Sequence, residues 1–489
     1  MRRRAGHYLR WRIWRLNGLA DGDSVADLNA PNRHVGRPLI TVPVVRVERN
    51  VIRVSAGELP WLFAHQAGGV IVSRVPVWLS RVVHPMARRR SPDFSRYWVG
   101  EILSSLGTRT SVVAYPLLTL SLTGSPSRAG VVSFVRLLPW LALSLPTGVV
   151  VDRVDRRRLM LVCDAGSLAA MAAVVGLLAA DELAFWSLLL VAIADGTFAM
   201  VFRISEIGVI RNLVDPEETG AAVARNTARD AGAALAGPPL GGVLYGLGRM
   251  LPFAANGVSF LASAAMLASI RKPFQEHRDQ TRWHPRQAAH DIAEGFGWLW
   301  RQPFLRLSEL LVAGSNFTTN AVSLLLIIAA RHRGASPGVI GVMLGSAAAG
   351  GLLGSLAAVR LHKQFSARLI VVGYGWVGVV VLLGLSAQPP VLALGLIYAC
   401  WLFFGPTWDA VVVGYRVRIC PDALQGRVES VSTLISFGAS ALGPLAAGIL
   451  AARLPTREAF LALAAWTATV ALAGTLSQST RSIEAQSPA

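Results

Sequence analysis

Six of the acidic side chains that lie inside long apolar stretches are the residues of this sequence best suited to chemistry. A charged carboxylate is expensive to place in a membrane, so such a residue is a functional candidate by default. Burial favours the protonated form, and an acid held between two protonation states can bind and release protons. A structural ion pair or a water-facing helix end is the alternative for each acid. The candidates are Glu101, Asp164, Asp195, Glu206, Asp230 and Asp409.

Two of these acids share one predicted helix. Asp195 and Glu206 are eleven residues apart, which is about three helical turns and places them on one face. Asp195 lies near the middle of its apolar stretch and is therefore the first candidate for a proton carrier. Arg203 precedes Glu206 by three residues and could pair with it. Neutralising Arg203 or Arg211 is thus the competing role of Glu206.

Two arginines also lie inside apolar stretches, in positions that could face an internal cavity. Arg109 and Arg136 could pair with the acids or attract an anionic substrate. Asp409 follows Gly405 and Pro406, where the proline predicts a kinked helix, and it is the acid candidate nearest the C-terminus. All nine histidines lie outside the apolar stretches, so carboxylates must carry any protons that move with a substrate.

The composition that surrounds these residues favours an integral membrane protein. Hydrophobic residues make up 53% of the 489 positions, charged residues make up 15%, and the mean hydropathy is +0.48. Soluble domains contain about 45–50% apolar and about 25% charged residues. A helix needs about 20 largely apolar residues to cross a membrane, and twelve such stretches are present. They lie at 98–122, 130–151, 159–180, 184–209, 222–247, 251–270, 307–330, 338–359, 368–387, 390–413, 428–452 and 458–476.

An internal repeat divides the twelve stretches into two halves. A shift of 210 residues places Phe94 on Phe304 and Arg158 on Arg368, and a shift of 205 places Arg211 on Arg416 and Pro239 on Pro444. Matches that return in chain order at nearly one offset indicate two halves of six spans in a parallel repeat. The sequence therefore predicts an all-α membrane protein with twelve transmembrane helices in two six-helix bundles.

The positive charge indicates the orientation of these bundles. The net charge of +19 would suggest a nucleic-acid partner on a soluble surface, but residues 1–93 contribute +10 of it. Much of the remainder lies in the loops at 152–158, 271–306 and 360–368. These loops share one side with both termini, and an excess of arginine marks that side as cytoplasmic, although Arg331 and Arg333 go against the trend.

Five segments follow from these patterns. Residues 1–93 are an Arg-rich extension without a signal peptide, and we expect them to be disordered or to result from a misassigned start, with Met86 as the true one. The other segments are an N-terminal bundle at 94–270, a cytoplasmic central loop at 271–303 with an amphipathic helix near 287–300, a C-terminal bundle at 304–478, and a cytoplasmic tail at 479–489.

A charged motif follows the second stretch. It resembles the loop signature G-x-x-x-D-R-x-G-R-R of the major facilitator superfamily, with Asp155 in place of the second glycine. The resemblance implies a cytoplasmic latch that holds one transport state, in which the glycine allows close helix packing and the acid caps a helix or pairs with arginine. Ordinary positive-inside charge is the alternative. The latch residues are Gly148, Asp152, Arg153, Arg156 and Arg157.

A second motif lies in the fifth stretch, at Gly237-Pro238-Pro239-Leu240-Gly241-Gly242. It resembles the G-P-x-x-G-G signature of antiporters in the same superfamily, because proline bends the helix and glycine permits tight helix contact. A generic packing kink is the alternative. The segments 421–428 and 134–139 resemble the drug and siderophore exporter branch, which includes macrolide-efflux and enterobactin-exporter proteins. The resemblance covers roughly residues 92–478.

These features together predict a secondary active transporter of the cell membrane. The resemblance implies the major facilitator fold and proton-coupled export of a small amphipathic compound by alternating access. A facilitator or importer of a small metabolite, a non-transporting sensor and a membrane enzyme are the alternatives. The chain contains no Walker A loop and no H-E-x-x-H motif, and its cysteines, Cys163, Cys400 and Cys420, are isolated. We therefore expect a monomer that uses protons and the bilayer, with no cofactor, metal or nucleic acid.

Overall fold

A computed structural model describes residues 44–48, 51–55, 92–275, 285–478 and 480. The chain divides into two units, Met1–Arg88 and Arg89–Ala489. In the first unit, β1 (Val44–Glu48) and β2 (Val51–Ser55) form an antiparallel pair with Val44 opposite Ser55. The rest of the Arg-rich extension, including the proposed start at Met86, lies outside the described residues.

The second unit contains twelve long helices within its described residues, one for each predicted stretch. The predicted major facilitator fold is confirmed in this respect. In chain order the helices are α1 (Pro92–Thr123), α2 (Pro126–Arg153), α3 (Arg156–Ala179), α4 (Phe185–Glu206), α5 (Thr219–Leu247), α6 (Leu251–Ser269), α7 (Pro303–His332), α8 (Pro337–Gln364), α9 (Ala367–Ser386), α10 (Val391–Ile419), α11 (Gln425–Arg453) and α12 (Thr456–Leu476).

Nine of these described helices are long and apolar enough to cross a membrane by composition alone. Of the other three, α1 and α5 are long enough but more polar, and all three helices carry charged residues of the interior. Glu101 and Arg109 lie in α1, Arg136 lies in α2, and Arg229 and Asp230 lie in α5. These three helices therefore depend on neighbouring helices to keep their polar faces away from lipid.

A similar turn connects the first two helices of each half, over two residues in the first half and four in the second. Gly124 (φ +64°) separates α1 from α2, and Gly334 (φ +72°) separates α7 from α8. A left-handed backbone of this kind favours glycine. A serine then caps each following helix: Ser125 accepts the backbone N–H of Arg128, and Ser336 accepts that of Val339. A proline at the first helical position completes both turns.

The packing repeats between the halves. In the first half, α1 packs on α5 and α6, α2 packs on α4, and α3 packs on α4 and α6. In the second half, α7 packs on α11 and α12, α8 packs on α10, and α9 packs on α10 and α12. Each pair in one half thus has its counterpart six helices later. This is the parallel repeat that the sequence offsets predict.

The two halves meet through α2 against α11 and α5 against α8. A Cβ atom added at Gly130 of α2 would meet the carbonyl oxygen of Pro444 and the Cα atom of Gly448. One added at Gly242 of α5 would meet the Cα atom of Gly341 of α8. Both contacts lie at the end of the bundle where Gly124 and Gly334 turn the chain, which we call the closed end.

The opposite end, where the 152–158 loop lies, is called the open end. A Cβ atom added at Gly148 of α2 or Gly426 of α11 would meet nothing within 4 Å. Gly148 is thus not in a close helix contact in this conformation, and its role in helix packing stays a prediction for the state in which the open end is closed. The last aromatic contact between these two helices toward the open end, within the described residues, is the stack of Trp140 on Phe437, with ring centroids 4.3 Å apart.

An amphipathic helix spans Pro285–Arg301, close to the predicted 287–300. Its Leu299 is fully buried, and its acidic face contacts Arg427 at the start of α11. Arg427 pairs with Asp291 at 3.0 Å and also with Glu294. The central loop is thereby attached to the second half of the bundle.

Candidate functional site

A buried ion network joins α1, α4 and α5 in the first half. The guanidinium of Arg229 in α5 lies 2.9 Å from Glu206 Oε1 in α4 and 3.6 Å from Glu101 Oε2 in α1. The hydroxyl of Tyr97 in α1 donates to the same Glu206 oxygen at 2.8 Å. The side chains of Arg229, Glu101 and Glu206 are 1%, 4% and 6% exposed, so water contributes little to solvating these charges.

The network continues toward a more exposed pair. Arg203 lies 2.8 Å from Glu206 Oε2 and 3.0 Å from Asp230 Oδ2, and its side chain is half exposed. Asp230 Oδ1 accepts from Arg229 at 2.8 Å. The predicted pairing of Arg203 with Glu206 is thus present, and Asp230 completes a ring of alternating charges.

The network holds three carboxylates but two guanidinium groups. Glu206 and Asp230 each contact both arginines, whereas the single ion pair of Glu101 within the described residues is the long one with Arg229. The other oxygen of Glu101, Oε1, is buried and without a hydrogen-bond partner there. Asp164 of α3, which is 1% exposed, adds another acid close by. Glu101 is therefore the member of this network that is least compensated.

Asp195, the first candidate from the sequence, has a different environment. Arg136 of α2 donates to Asp195 Oδ2 at 2.8 Å, and both side chains are largely buried. The Arg136 guanidinium also lies 5.5 Å from the ring centroid of Tyr115. Gly196 allows the approach, because a Cβ atom there would meet the backbone of Arg136. Asp195 and Arg136 thus form a matched pair between α2 and α4.

Arg109 and Asp409 lie apart from these pairs. Arg109 of α1 is exposed within the bundle near Asp230, Arg136 and Arg203, and it has no ion pair among the described residues. Asp409 of α10 is exposed as well, and no salt bridge is found for it in the described part of the chain. It lies eleven residues after Tyr398, on the helix face that contacts α7.

A related cluster lies in the second half, and residue spacing alone did not identify it. Glu309 of α7 is 1% exposed and lies 3.1 Å from Arg416 of α10. Arg416 also lies 2.6 Å from Glu429 of α11, and Ser432 donates to Glu309 at 2.6 Å. The sequence carried one signal for it, because Arg416 is the repeat partner of Arg211. Arg229 gave no comparable signal.

The latch motif contacts helices of its own half. Asp155 caps α3 by accepting the backbone N–H of Arg158, a role expected for Asp152. The Asp152 side chain lies outside the described residues. Arg157 donates to the Leu267 carbonyl at 3.0 Å, at the end of α6. Arg156 lies against Gly208, just after α4.

The hinge motif lies at the boundary between the halves. Pro238 and Pro239 are inside the continuous helix α5. A Cβ atom at Gly237 or Gly241 would meet α1 at Arg109 or Thr110, and one at Gly242 would meet α8. The glycines thus place α5 tightly between α1 of its own half and α8 of the other.

One group of described residues has metal-ligand character, and it is already occupied by an arginine. His290, Asp291 and Glu294 offer ligand atoms within 4.8 Å of one another. Asp291 and Glu294 pair with Arg427, so a cation would have to displace a guanidinium. This group serves to hold the amphipathic helix.

Comparisons with known proteins agree with this architecture. The profile of the family described as transmembrane secretion effector matches residues 83–488. The multidrug efflux pump Tap of Mycobacterium tuberculosis is 30% identical over 389 residues, covering 74% of this chain and 88% of that protein. An uncharacterised transporter of the major facilitator type from Bacillus subtilis is 24% identical over 375 residues, covering 74% and 87%.

Solved structures show the same fold. A bacterial homologue of the human lysosomal transporter Spinster, inward-facing and unoccupied, aligns with a TM-score of 0.65 at 14% identity, covering 82% of this chain and 99% of that one. An inward-facing bacterial homologue of the iron transporter ferroportin aligns with a TM-score of 0.61 at 18% identity, covering 78% and 97%. At these identities the likeness concerns the fold alone.

Proposed function

Because the chain belongs to the transmembrane secretion effector family of the major facilitator superfamily, we propose that this transporter exports a small amphipathic compound in exchange for protons. Its membership makes it a multi-pass membrane protein that moves a small molecule. The direction, the coupling ion and the substrate class are the proposed elements. The name of the relative Tap, a multidrug efflux pump, supports export of a drug, siderophore or secondary metabolite.

The uncompensated Glu101 is the observation that carries proton coupling. With all three carboxylates ionised, the α1–α4–α5 network would hold one negative charge more than its two guanidinium groups balance, and its inner members Glu101, Glu206 and Arg229 are almost closed to water. An unpaired buried charge is strongly destabilising. A proton on Glu101 makes the network neutral. Protonating Glu101 also costs the least, because its ion pair with Arg229 is the longest in the network. Glu101 therefore holds a proton in the conformation described.

The network is placed where a proton can influence the conformation. Arg229 and Asp230 lie in α5, eight and seven residues before Gly237, or about 12 Å and 10 Å along the helix. The hinge that follows contacts α8 of the other half. When Glu101 releases its proton, the carboxylate attracts Arg229 more strongly and draws α1 and α5 together. Because α5 also packs on α8 of the other half, this movement reaches the boundary between the halves. Alternating access then couples to protonation.

The charges of the loops supply the orientation. The 152–158 and 360–368 loops, both rich in basic residues, lie at the open end, and the positive-inside rule assigns that end to the cytoplasm. The described conformation thus faces the cytoplasm and receives the compound there, with both termini on that side of the cell membrane. The latch residues Asp152, Arg153, Arg156 and Arg157 and Gly148 would act when the open end closes.

The other candidates receive supporting roles. The matched pair of Asp195 with Arg136 holds α2 against α4 and provides a second acid that can exchange protons when the pair separates. Glu206 and Asp230 position Arg229. Arg109 and Asp409 face the interior without ion pairs in the described structure, so they are available to the transported compound.

Everted membrane vesicles test the proposal. A panel of drugs and siderophores is added to energised vesicles, and a fluorescent dye reports the pH gradient. We expect at least one compound to collapse the gradient with the wild-type protein and not with Glu101→Gln. The control is Glu458→Gln, which alters an exposed acid at the start of α12 and should behave as wild type.

A facilitator or importer gives a different result. If transport of the active compound leaves the pH gradient unchanged, or if Glu101→Gln collapses it as the wild type does, proton antiport through Glu101 is wrong. A compound that moves down its own gradient equally well in both proteins would identify a facilitator.

A further inference from the structure

The second half contains a buried acid that resembles Glu101 in its surroundings and has no part in the function proposed above. Glu309 is the seventh residue of α7 and is 1% exposed. Its Oε1 atom accepts hydrogen bonds from Arg416 at 3.1 Å and from Ser432 at 2.6 Å. Its Oε2 atom is buried and has no hydrogen-bond partner in the described structure. One turn earlier, Leu305 belongs to an apolar cluster with Phe304, Val428 and Val431.

The charges around Glu309 do not balance. Arg416 is shared between Glu309 and Glu429, whose side chain is 61% exposed and lies 2.6 Å from the guanidinium. Among the described residues, Arg416 is the one cation that forms an ion pair with Glu309, and none is found between Glu309 and Arg301 or Arg306. Helix α12, which also packs on α7, has no charged residue after Glu458. In the amphipathic helix, Asp291 and Glu294 are paired with Arg427 of α11. Two carboxylates thus compete for one guanidinium, and the buried carboxylate has one oxygen atom without a hydrogen-bond partner among the described residues.

The cluster lies on the same three helices of its half as the first network does, although the shared arginine comes from the fourth helix here and from the fifth helix there. Glu309, Arg416 and Glu429 come from α7, α10 and α11, which correspond to α1, α4 and α5 of the first half. Glu101, Glu206 and Arg229 come from those three helices. In each half, a buried glutamate of the first helix therefore lies at a shared arginine, with one carboxylate more than the guanidinium groups can neutralise.

The second cluster is also accessible to water, because the Glu429 side chain is 61% exposed. An open cavity of about 280 Å³ is lined by Arg416, Val417, Cys420, Gln425, Gly426, Val428 and Glu429. It contains the start of α11 at the open end, where a Cβ atom added at Gly426 would meet nothing within 4 Å. The exposed carboxylate of Glu429 can accept a proton from this water, and the Arg416 guanidinium bridges Glu429 to Glu309.

From these contacts we propose that Glu309 is a second proton-binding site, so that each half of the transporter binds its own proton. When Glu309 is protonated, Arg416 is left to Glu429 and the cluster is neutral. When the proton leaves, the carboxylate takes Arg416 toward α7 and changes the contact between α7, α10 and α11. The coupling role of this proton rests on the proposed function, but its presence on Glu309 does not.

Carbodiimide labelling tests the site directly in the purified full-length protein in lipid vesicles. Dicyclohexylcarbodiimide is an apolar reagent that reacts with protonated carboxyl groups, and peptide mass spectrometry identifies the labelled residues. We expect label on Glu309 and Glu101 in mildly acidic buffer, loss of both labels in alkaline buffer, and none on the exposed Glu429. The wild-type protein suffices, so the test does not depend on the folding of a variant.

The outcomes separate the two proposals. Label on Glu101 without label on Glu309 overturns the second site and leaves the proposed function intact. Label on Glu309 without label on Glu101 contradicts proton coupling through Glu101 and leaves the second site intact. If neither residue is labelled, both proposals are wrong.

A proton count gives an independent measurement. On titration from mildly acidic buffer, in which exposed glutamates are already ionised, to alkaline buffer, Glu309→Gln should release about one proton fewer than the wild type. The matched variant Glu458→Gln, which alters an exposed acid of α12, retains the wild-type response to carbodiimide at Glu309. A Glu309→Gln protein that releases as many protons as the wild type contradicts the site.

Discussion

Replacing Arg229 with glutamine measures the charge balance on which the account depends. Arg229 is 1% exposed and contacts Glu101, Glu206 and Asp230. Without it, Glu206 and Asp230 share the half-exposed Arg203, and one negative charge is left in a buried site. Removing one partner of a buried ion pair destabilises a protein by about 3–5 kcal/mol, and we expect Arg229→Gln to fall in that range.

Two double variants show which carboxylate carries the charge. If Glu101 is protonated, Arg229→Gln combined with Glu206→Gln is neutral again, because Arg203 and Asp230 remain as a pair. Most of the lost stability should return, to within about 1 kcal/mol of Glu206→Gln alone. Arg229→Gln combined with Glu101→Gln should stay as unstable as Arg229→Gln, since the second change replaces a group that is already neutral.

Reversible unfolding in mixed detergent micelles provides the assay, with the fluorescence of the fourteen tryptophans as the signal. The free energy of unfolding is compared among the five proteins at one pH near neutrality. Rescue by Glu101→Gln equal to that by Glu206→Gln would refute the reasoning, because it would show that Glu101 is ionised in the folded protein. A loss below about 1 kcal/mol for Arg229→Gln would also refute it.

Three further predictions concern the pairs and contacts around the network. Asp195→Asn leaves Arg136 without its partner, so the free energy of unfolding should fall by about 3–5 kcal/mol; unchanged stability in the same micelle assay would show that the pair is not formed. Gly130→Leu inserts a side chain where Pro444 and Gly448 approach, so it should abolish transport while the protein still folds, and wild-type transport would contradict the closed-end contact. Asp155→Ala removes the cap of α3 and should lower the free energy of unfolding by about 1 kcal/mol; no change would show that this end needs no cap.

The twelve spans were predictable because each needs a long apolar stretch, and the physical requirement is strong. The ends of the spans were less predictable. The tenth stretch was placed at 390–413, whereas α10 continues to Ile419. Arg416 and Arg418 lower the apolar character of that last turn, but Arg416 is held inside by Glu309 and Glu429. Apolar composition alone does not reveal the end of a helix when ion pairs stabilise that end.

Most acids of the interior were identified from their residue type, but most of their partners were not. Arg203 and Glu206 were paired because they share one helix, where spacing fixes proximity. Arg229 was missed, since its partners Glu101 and Glu206 come from two other helices and no spacing along the chain brings them together. Glu309 was not among the candidates, since its partners Arg416 and Ser432 come from α10 and α11 and no spacing along the chain brings them to it.

The conformation itself was beyond prediction from local sequence. A glycine such as Gly148 permits a close helix contact in one state of an alternating-access transporter and faces open space in the other. Gly130 and Gly242 have the same chemistry as Gly148 and are tightly packed here. What differs is the relative placement of the two halves, which one chain segment does not determine.

Transport by Glu101→Gln in reconstituted vesicles tests the central claim most directly. Vesicles are loaded with a compound found active in the everted-membrane assay, and two rates are recorded: exchange of labelled for unlabelled compound without a pH gradient, and accumulation against its gradient when a pH gradient is imposed. Glu101→Gln should retain exchange, because the compound site and both halves are intact, and should lose pH-driven accumulation. Accumulation at the wild-type rate by Glu101→Gln would contradict the claim that Glu101 carries the coupling proton.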